Sequence, residues 1–171
     1  MRLFSGKIAA LSDEIVKALA ENSDIECASR KEVAKDVESV FSSYLHTEKE
    51  VNEKSKDLLE GRGLPPSEFN RVRRLTAEQK GIKVGDEMMD YLLDQLIEIL
   101  MHSSNVDEVF VEDHELRRRM RPILKKYLDV DEALDTEVRG KLKHVQEGSR
   151  TWDVEYQRVM GDIQRRKGLL G

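Results

Sequence analysis

Glu68-Phe69-Asn70-Arg71-Val72 is followed by seven residues and then Lys80-Gly81-Ile82. Glu155-Tyr156-Gln157-Arg158-Val159 is followed by seven residues and then Lys167-Gly168-Leu169. Acid, aromatic, amide, Arg and Val recur in order, and Lys-Gly-aliphatic recurs at the same distance. Chance rarely matches so many positions, so each stretch is read as the close of one half of a tandem duplication. The local chemistry supports a capped helix in both places. Lysine suits the negative C-terminal end of a helix dipole, and glycine takes the left-handed conformation that follows many helices.

Upstream of each motif lies a long amphipathic stretch. Val33, Val37, Val40, Phe41, Tyr44, Leu45, Val51 and Leu59 are spaced as one helix face. At a constant offset, as from Val33 to Leu116, they become Leu116, Met120, Ile123, Leu124, Tyr127, Leu128, Leu134 and Leu142. The spacing predicts a helix over about 30–60, opened by a Ser29/Glu32 capping box and closed by Gly61-Arg62-Gly63. It predicts a second over about 113–146, kinked or split at Pro122, which lacks an N–H and clashes with the preceding turn. A break near His46-Thr47 is the alternative for the first.

Shorter helices precede the long ones. The first, Lys7 to Ala20, carries Ile8, Leu11, Ile15 and Leu19. Its counterpart, capped by Asp86, carries Met89, Leu92, Leu93, Leu96 and Leu100. Residues 25–28 and 109–111 are short extended links that can pair as a minor two-stranded ribbon. Pro65-Pro66-Ser67 opens a third helix that turns Phe69, Val72 and Leu75 inward. Thr151 caps the last helix, whose apolar face is Trp152, Tyr156, Val159, Met160 and Ile163. The expected fold is therefore all-α: a tandem duplication of a three-helix unit forming an elongated helical bundle, with repeats at 1–85 and 86–171 sharing one fold. Core positions include Ile15, Leu19, Val37, Phe41, Tyr44, Phe69, Leu96, Leu100, Met120, Leu124, Tyr127, Tyr156 and Val159.

Composition narrows the function classes. Charged residues make up 37% of the chain, the net charge is -5, and there is one cysteine. Cys27 alone excludes a disulfide framework and fits a reducing cytoplasm, and it reads best as a small buried hydrophobe. The N-terminus has no secretory h-region, and no apolar run reaches the roughly 20 residues of a membrane span.

The opening Met1-Arg2-Leu3-Phe4-Ser5-Gly6-Lys7-Ile8, the central Asp36-Val37-Glu38-Ser39-Val40, Tyr44-Leu45 and the closing 155–159 and 166–169 motifs carry a resemblance. They resemble the bacterial domain-of-unknown-function family number five hundred and seven over essentially the whole chain. The resemblance implies a bacterial cytoplasmic protein and transfers no catalytic residue, cofactor or substrate.

Chemical motifs are weak beside these structural ones. His46, His102, His114 and His144 are scattered, with no His-Glu-x-x-His or Glu-x-x-His spacing, so no metal site is expected. No nucleophile elbow, Walker loop or dinucleotide glycine pattern occurs, so neither an enzyme nor a bound cofactor is expected. Gly140 and Gly161 fall inside helices, where they are expected to permit close packing. The arginine clusters are the best handle: Arg71, Arg74, Arg117, Arg118, Arg158 and Arg166 are the candidate contacts for an anion or a partner. An ordinary solvated helix face is the better explanation of them, because Glu68–Arg71 and Glu155–Arg158 are i,i+3 pairs and successive arginines at 117–119 point in different directions. The expected function is a non-enzymatic helical protein-interaction or structural module, cytoplasmic and not membrane-bound, whose partner is another protein or itself. The alternative is an RNA- or DNA-associated factor using the arginines.

Overall fold

Ser29 starts the longest helix of the protein: its hydroxyl accepts the Glu32 backbone N–H at 3.3 Å. The computed structural model describes residues 2–168. In chain order the elements are α1 (Ile8–Glu21), β1 (Ile25–Glu26), α2 (Arg30–Gly61), α3 (Phe69–Lys80), α4 (Met88–His102), β2 (Glu108–Val109), α5 (Asp113–Lys141) and α6 (Arg150–Arg166). Single 3-10 turns lead into α1, α3 and α4. The fold is all-α with one minor ribbon, in which Ile25 pairs antiparallel with Val109.

α2 runs unbroken past His46-Thr47. The capping box expected at its start is only half formed, because the Glu32 carboxylate turns to Lys35 at 3.0 Å. The complete box stands instead at the start of α5, between Glu112 and Glu115. α5 is not split at Pro122. Pro122 and Arg118, whose carbonyl loses its intrahelical donor, are both exposed, so solvent can take that bond. α5 stops at Lys141, short of the expected 146, and residues 142–149 form a loop.

Ser149, not Thr151, caps α6, accepting the Trp152 N–H at 3.2 Å. Asp86 caps nothing; it lies in the 3-10 turn before α4. Gly81 and Gly168 end α3 and α6 with φ of 76° and 68°, and the Ile82 N–H bonds the Ala77 carbonyl. Leu169, the counterpart of Ile82, lies outside the described residues.

The core follows from the two periodicities. α1 and α4 each pack against both long helices, while α3 packs on α2 and α6 on α5. One apolar cluster, from both sides of residue 85, fills the space between α1, α2, α4 and α5. The buried face of α1 recurs in α4 at a constant offset, as from Ile8 to Met89: Leu11, Ser12, Ile15, Val16 and Leu19 match Leu92, Leu93, Leu96, Ile97 and Leu100. On the long helices the matching positions extend to a buried acid, Glu48 in α2 and Asp131 in α5. Each fully buried aliphatic side chain contributes about 1.5–3 kcal/mol.

Several expected core features differ. Leu75 is 49% exposed, because Thr76 and Ala77 take the inward positions of the next turn of α3. Tyr127 is only partly buried, and its hydroxyl donates to Glu14 at 2.8 Å. Cys27 is partly buried and packs against the main core. A methyl group added at Gly140 would meet nothing within 4 Å, and one at Gly161 would meet only the Arg165 side chain, so neither glycine permits close packing.

Candidate functional site: a polar cleft between the helix pairs

Beyond the main core, the distal parts of α2 and α5 carry separate apolar clusters. Leu59, Phe69 and Val72 form one. Leu134, Val138, Leu142, Trp152, Tyr156, Val159, Met160 and Ile163 form the other. Between them lies a polar cleft of two adjoining cavities, of about 70 Å³ and about 490 Å³, that share Arg2, Asn52, Lys56, Asp153 and Gln157.

Three aromatic rings line the smaller cavity, each with a cation beside its face. Arg139 stands 5.2 Å from the Trp152 ring centre, Arg2 5.4 Å from Tyr156, and Lys56 5.9 Å from Phe69. Such pairs are worth about 0.5–2 kcal/mol, more where water is excluded. Helix periodicity explains part of the arrangement: Trp152 and Tyr156 are one turn apart on α6, and Asp135 and Arg139 one turn apart on α5.

Arg139 is the most constrained of the cations. It donates two bonds to Glu147, at 2.7 and 2.9 Å, and one to Asp135 at 2.8 Å. These bonds, with Glu147 foremost, hold its guanidinium well above the usual arginine range. The other oxygen of Asp135 accepts the Tyr156 hydroxyl at 2.5 Å, and burial pushes that phenol up. Arg73 donates to Glu48 at 3.1 Å and to Asn52 at 2.8 Å. Lys56 pairs with Asp153, and Arg150 joins α6 to Glu60 of α2 at 3.0 Å.

The N-terminal segment is tied in by Asp131. This carboxylate is 0% exposed. It accepts the Phe4 N–H at 2.8 Å and lies 3.4 Å from the Lys7 ammonium. Burial nevertheless raises its pKa. Fixing Phe4 places Arg2 between the Phe4 and Tyr156 rings, 5.4 Å from each centre.

The six arginines singled out from the sequence lie elsewhere. Arg71 pairs with Glu68 at 2.5 Å, Arg158 with Glu155 at 2.7 Å, and Arg166 with Glu137 at 2.6 Å. Arg117 pairs with Asp94 and approaches Asp90 at 3.9 Å. Arg74 and Arg118 are exposed. None of the six lines the cleft. Sequence reasoning missed Arg2, Lys56 and Arg139, which do, as does Arg73 beside Arg74. The Asp135/Arg139 spacing is a visible signal, but the Glu147 contact comes from the loop after α5, which begins five residues earlier than expected.

The family model described as "Protein of unknown function (DUF507)" matches residues 1–169. The chain belongs to this family. No curated protein matches it. Among the described residues, no helix is long and apolar enough to cross a membrane, and no group of three His, Cys, Asp or Glu side chains is placed to hold a metal ion. The family description carries no activity, so the cleft must be judged by its own chemistry.

Proposed function

We propose that the protein is a non-enzymatic, cytoplasmic interaction module that receives a segment of another protein in the cleft between α2 and α6. One observation carries this reading: three aromatic rings, each with a cation beside its face, line the smaller cavity of one open polar cleft. Aromatic and arginine side chains in partly desolvated surroundings are the usual energetic centres of protein interfaces.

The same pairs argue for binding over catalysis. Arg73, Lys56 and Arg139 each have a carboxylate partner. A general base needs a free proton-accepting group near the operating pH, and the Tyr156 phenol is shifted the wrong way for that task. Self-association and nucleic acid are the competing occupants. The arginines expected to serve nucleic acid are mostly neutralised by neighbouring acids, which favours a protein partner.

The test is affinity capture from native cells, with and without nuclease, using wild type and Gln157→Trp. Gln157 is exposed and borders both cavities, so the larger side chain blocks the mouth without removing a packing contact. The proposal expects a protein that is captured regardless of nuclease, rebinds when purified, and is lost in Gln157→Trp. Capture that nuclease abolishes supports the nucleic-acid alternative, and capture indifferent to Gln157→Trp refutes the cleft.

A further inference from the structure

The cleft is charged, but its charges are not equivalent. Lys56, Arg73 and Arg139 are all engaged by carboxylates. Arg2 is not. Its contacts are the faces of Phe4 and Tyr156, and among the described residues its guanidinium makes no hydrogen bond or ion pair. Its field is felt by Asp131 and Tyr156, yet Asp131 is already met by Lys7 and the Phe4 N–H. Arg2 is half-buried. A half-buried guanidinium held by two rings keeps its donors in a fixed plane and leaves them unspent, an arrangement that suits bidentate recognition of an oxyanion.

Further unspent donors line the same space. Asn52 uses its carbonyl oxygen to accept from Arg73, which leaves its NH2 group as the free donor. The Gln157 side chain makes no hydrogen bond among the described residues, and neither does the Trp152 indole N–H. Arg2, Asn52 and Gln157 border both cavities. The acceptors lining the smaller cavity, Glu147 and Asp153, are taken by Arg139 and Lys56; in the larger one Glu48 is taken by Arg73, and Glu53 is exposed to solvent.

The geometry points to an oxyanion subsite, built by Arg2 with the Asn52 and Gln157 amides, that takes a carboxylate or phosphate group of the ligand. This inference rests on the cleft being the recognition surface proposed above and names what it recognises. The N-terminal segment that carries Arg2 is held by buried Asp131, so the subsite exists only while that segment is docked.

Trp152 is the single tryptophan of the chain and lines the smaller cavity, so its fluorescence reports on the cleft. The experiment titrates the full chain with inorganic phosphate and, separately, with acetate, chloride making up constant ionic strength. A saturable change with either anion is expected, and about tenfold weaker binding in Arg2→Gln, the loss of one charge-assisted contact. Saturation by phosphate alone assigns the group to a phosphorylated ligand, and saturation by both to oxyanions in general. No saturation, or saturation unchanged in a folded Arg2→Gln, overturns the inference. If Arg2→Gln unfolds, Asn52→Asp places a carboxylate on the cleft wall instead and must abolish the same signal; retained binding there overturns it too. The titration needs no partner, so its failure is distinct from a failure of protein capture.

Discussion

Gly148→Ala tests how the two sides of the cleft are joined. Gly148 lies in the loop between α5 and α6 with φ of 93°, and a methyl group there would meet Phe69 Cβ at 3.1 Å and Cγ at 3.3 Å. Two costs therefore combine. A side chain in the left-handed region costs about 1–2 kcal/mol, and forcing a methyl into a packed contact costs about 1–3 kcal/mol. The expected loss is about 2–5 kcal/mol in a urea titration at room temperature. Gly81→Ala is the control: φ is 76° and nothing lies within 4 Å of the added methyl, so only the backbone cost of about 1–2 kcal/mol applies. Phe69→Ala removes Cγ and the ring but keeps Cβ, so the double variant Gly148→Ala/Phe69→Ala should recover about 0.5–1 kcal/mol relative to additivity. Glu147, the neighbour of Gly148, holds Arg139 against Trp152, so Gly148→Ala should also change the tryptophan emission of the folded protein. Gly148→Ala no costlier than Gly81→Ala, with additive behaviour beside Phe69→Ala, would refute the close approach of the α5–α6 loop to Phe69 and with it the account of how the two sides of the cleft are joined.

Tyr156→Ala should cost about 3 kcal/mol through the cavity left in the distal cluster, whereas Leu75→Ser should change stability by under about 0.5 kcal/mol, both read by urea titration. Charge reversal at Arg71 and Arg74 should leave the fold intact, checked by circular dichroism and thermal melting. Asp131→Asn should stabilise the protein at neutral pH. Its carboxyl is raised in the folded state, so the folded chain resists ionisation that the unfolded chain accepts, and stability is lost as pH rises through the folded pKa. The advantage of Asn should vanish below the normal carboxylate range. Glu14 works in the opposite sense: Lys126 holds its carboxyl low, so stability is present above the usual carboxylate pKa and lost on acidification. Glu14→Gln should narrow the gap between neutral and acid melting temperatures.

Periodicity and capping carried most of the architecture because they are local. The apolar stripe of α2, the Gly81 and Gly168 ends, and the pairing of Ile25 with Val109 all follow from residues close in sequence or from the repeat. The errors came where two local solutions compete. Ser149 and Thr151 both offer a hydroxyl near the start of α6, and only the loop path decides between them. Leu75 fits the helix face in sequence, but the inward positions of that turn belong to Thr76 and Ala77. The cleft was least legible. Arg2 depends on Asp131, far along the chain, to hold Phe4 in place, and Arg139 depends on Glu147 in a loop whose first five residues were expected to be helix. Clusters of successive arginines drew attention in the sequence, and of the four cleft cations described above only Arg73 lies in one; Arg2, Lys56 and Arg139 stand apart from them.

Photocrosslinking tests the central claim most directly. A photoreactive side chain at position 157, at the cleft mouth, is compared in living cells with one at position 75 on the exposed face of α3. A cleft that receives a protein segment predicts a discrete protein adduct from position 157 that survives nuclease, and none from position 75. Adducts that arise only from position 75, or that nuclease removes, would contradict it.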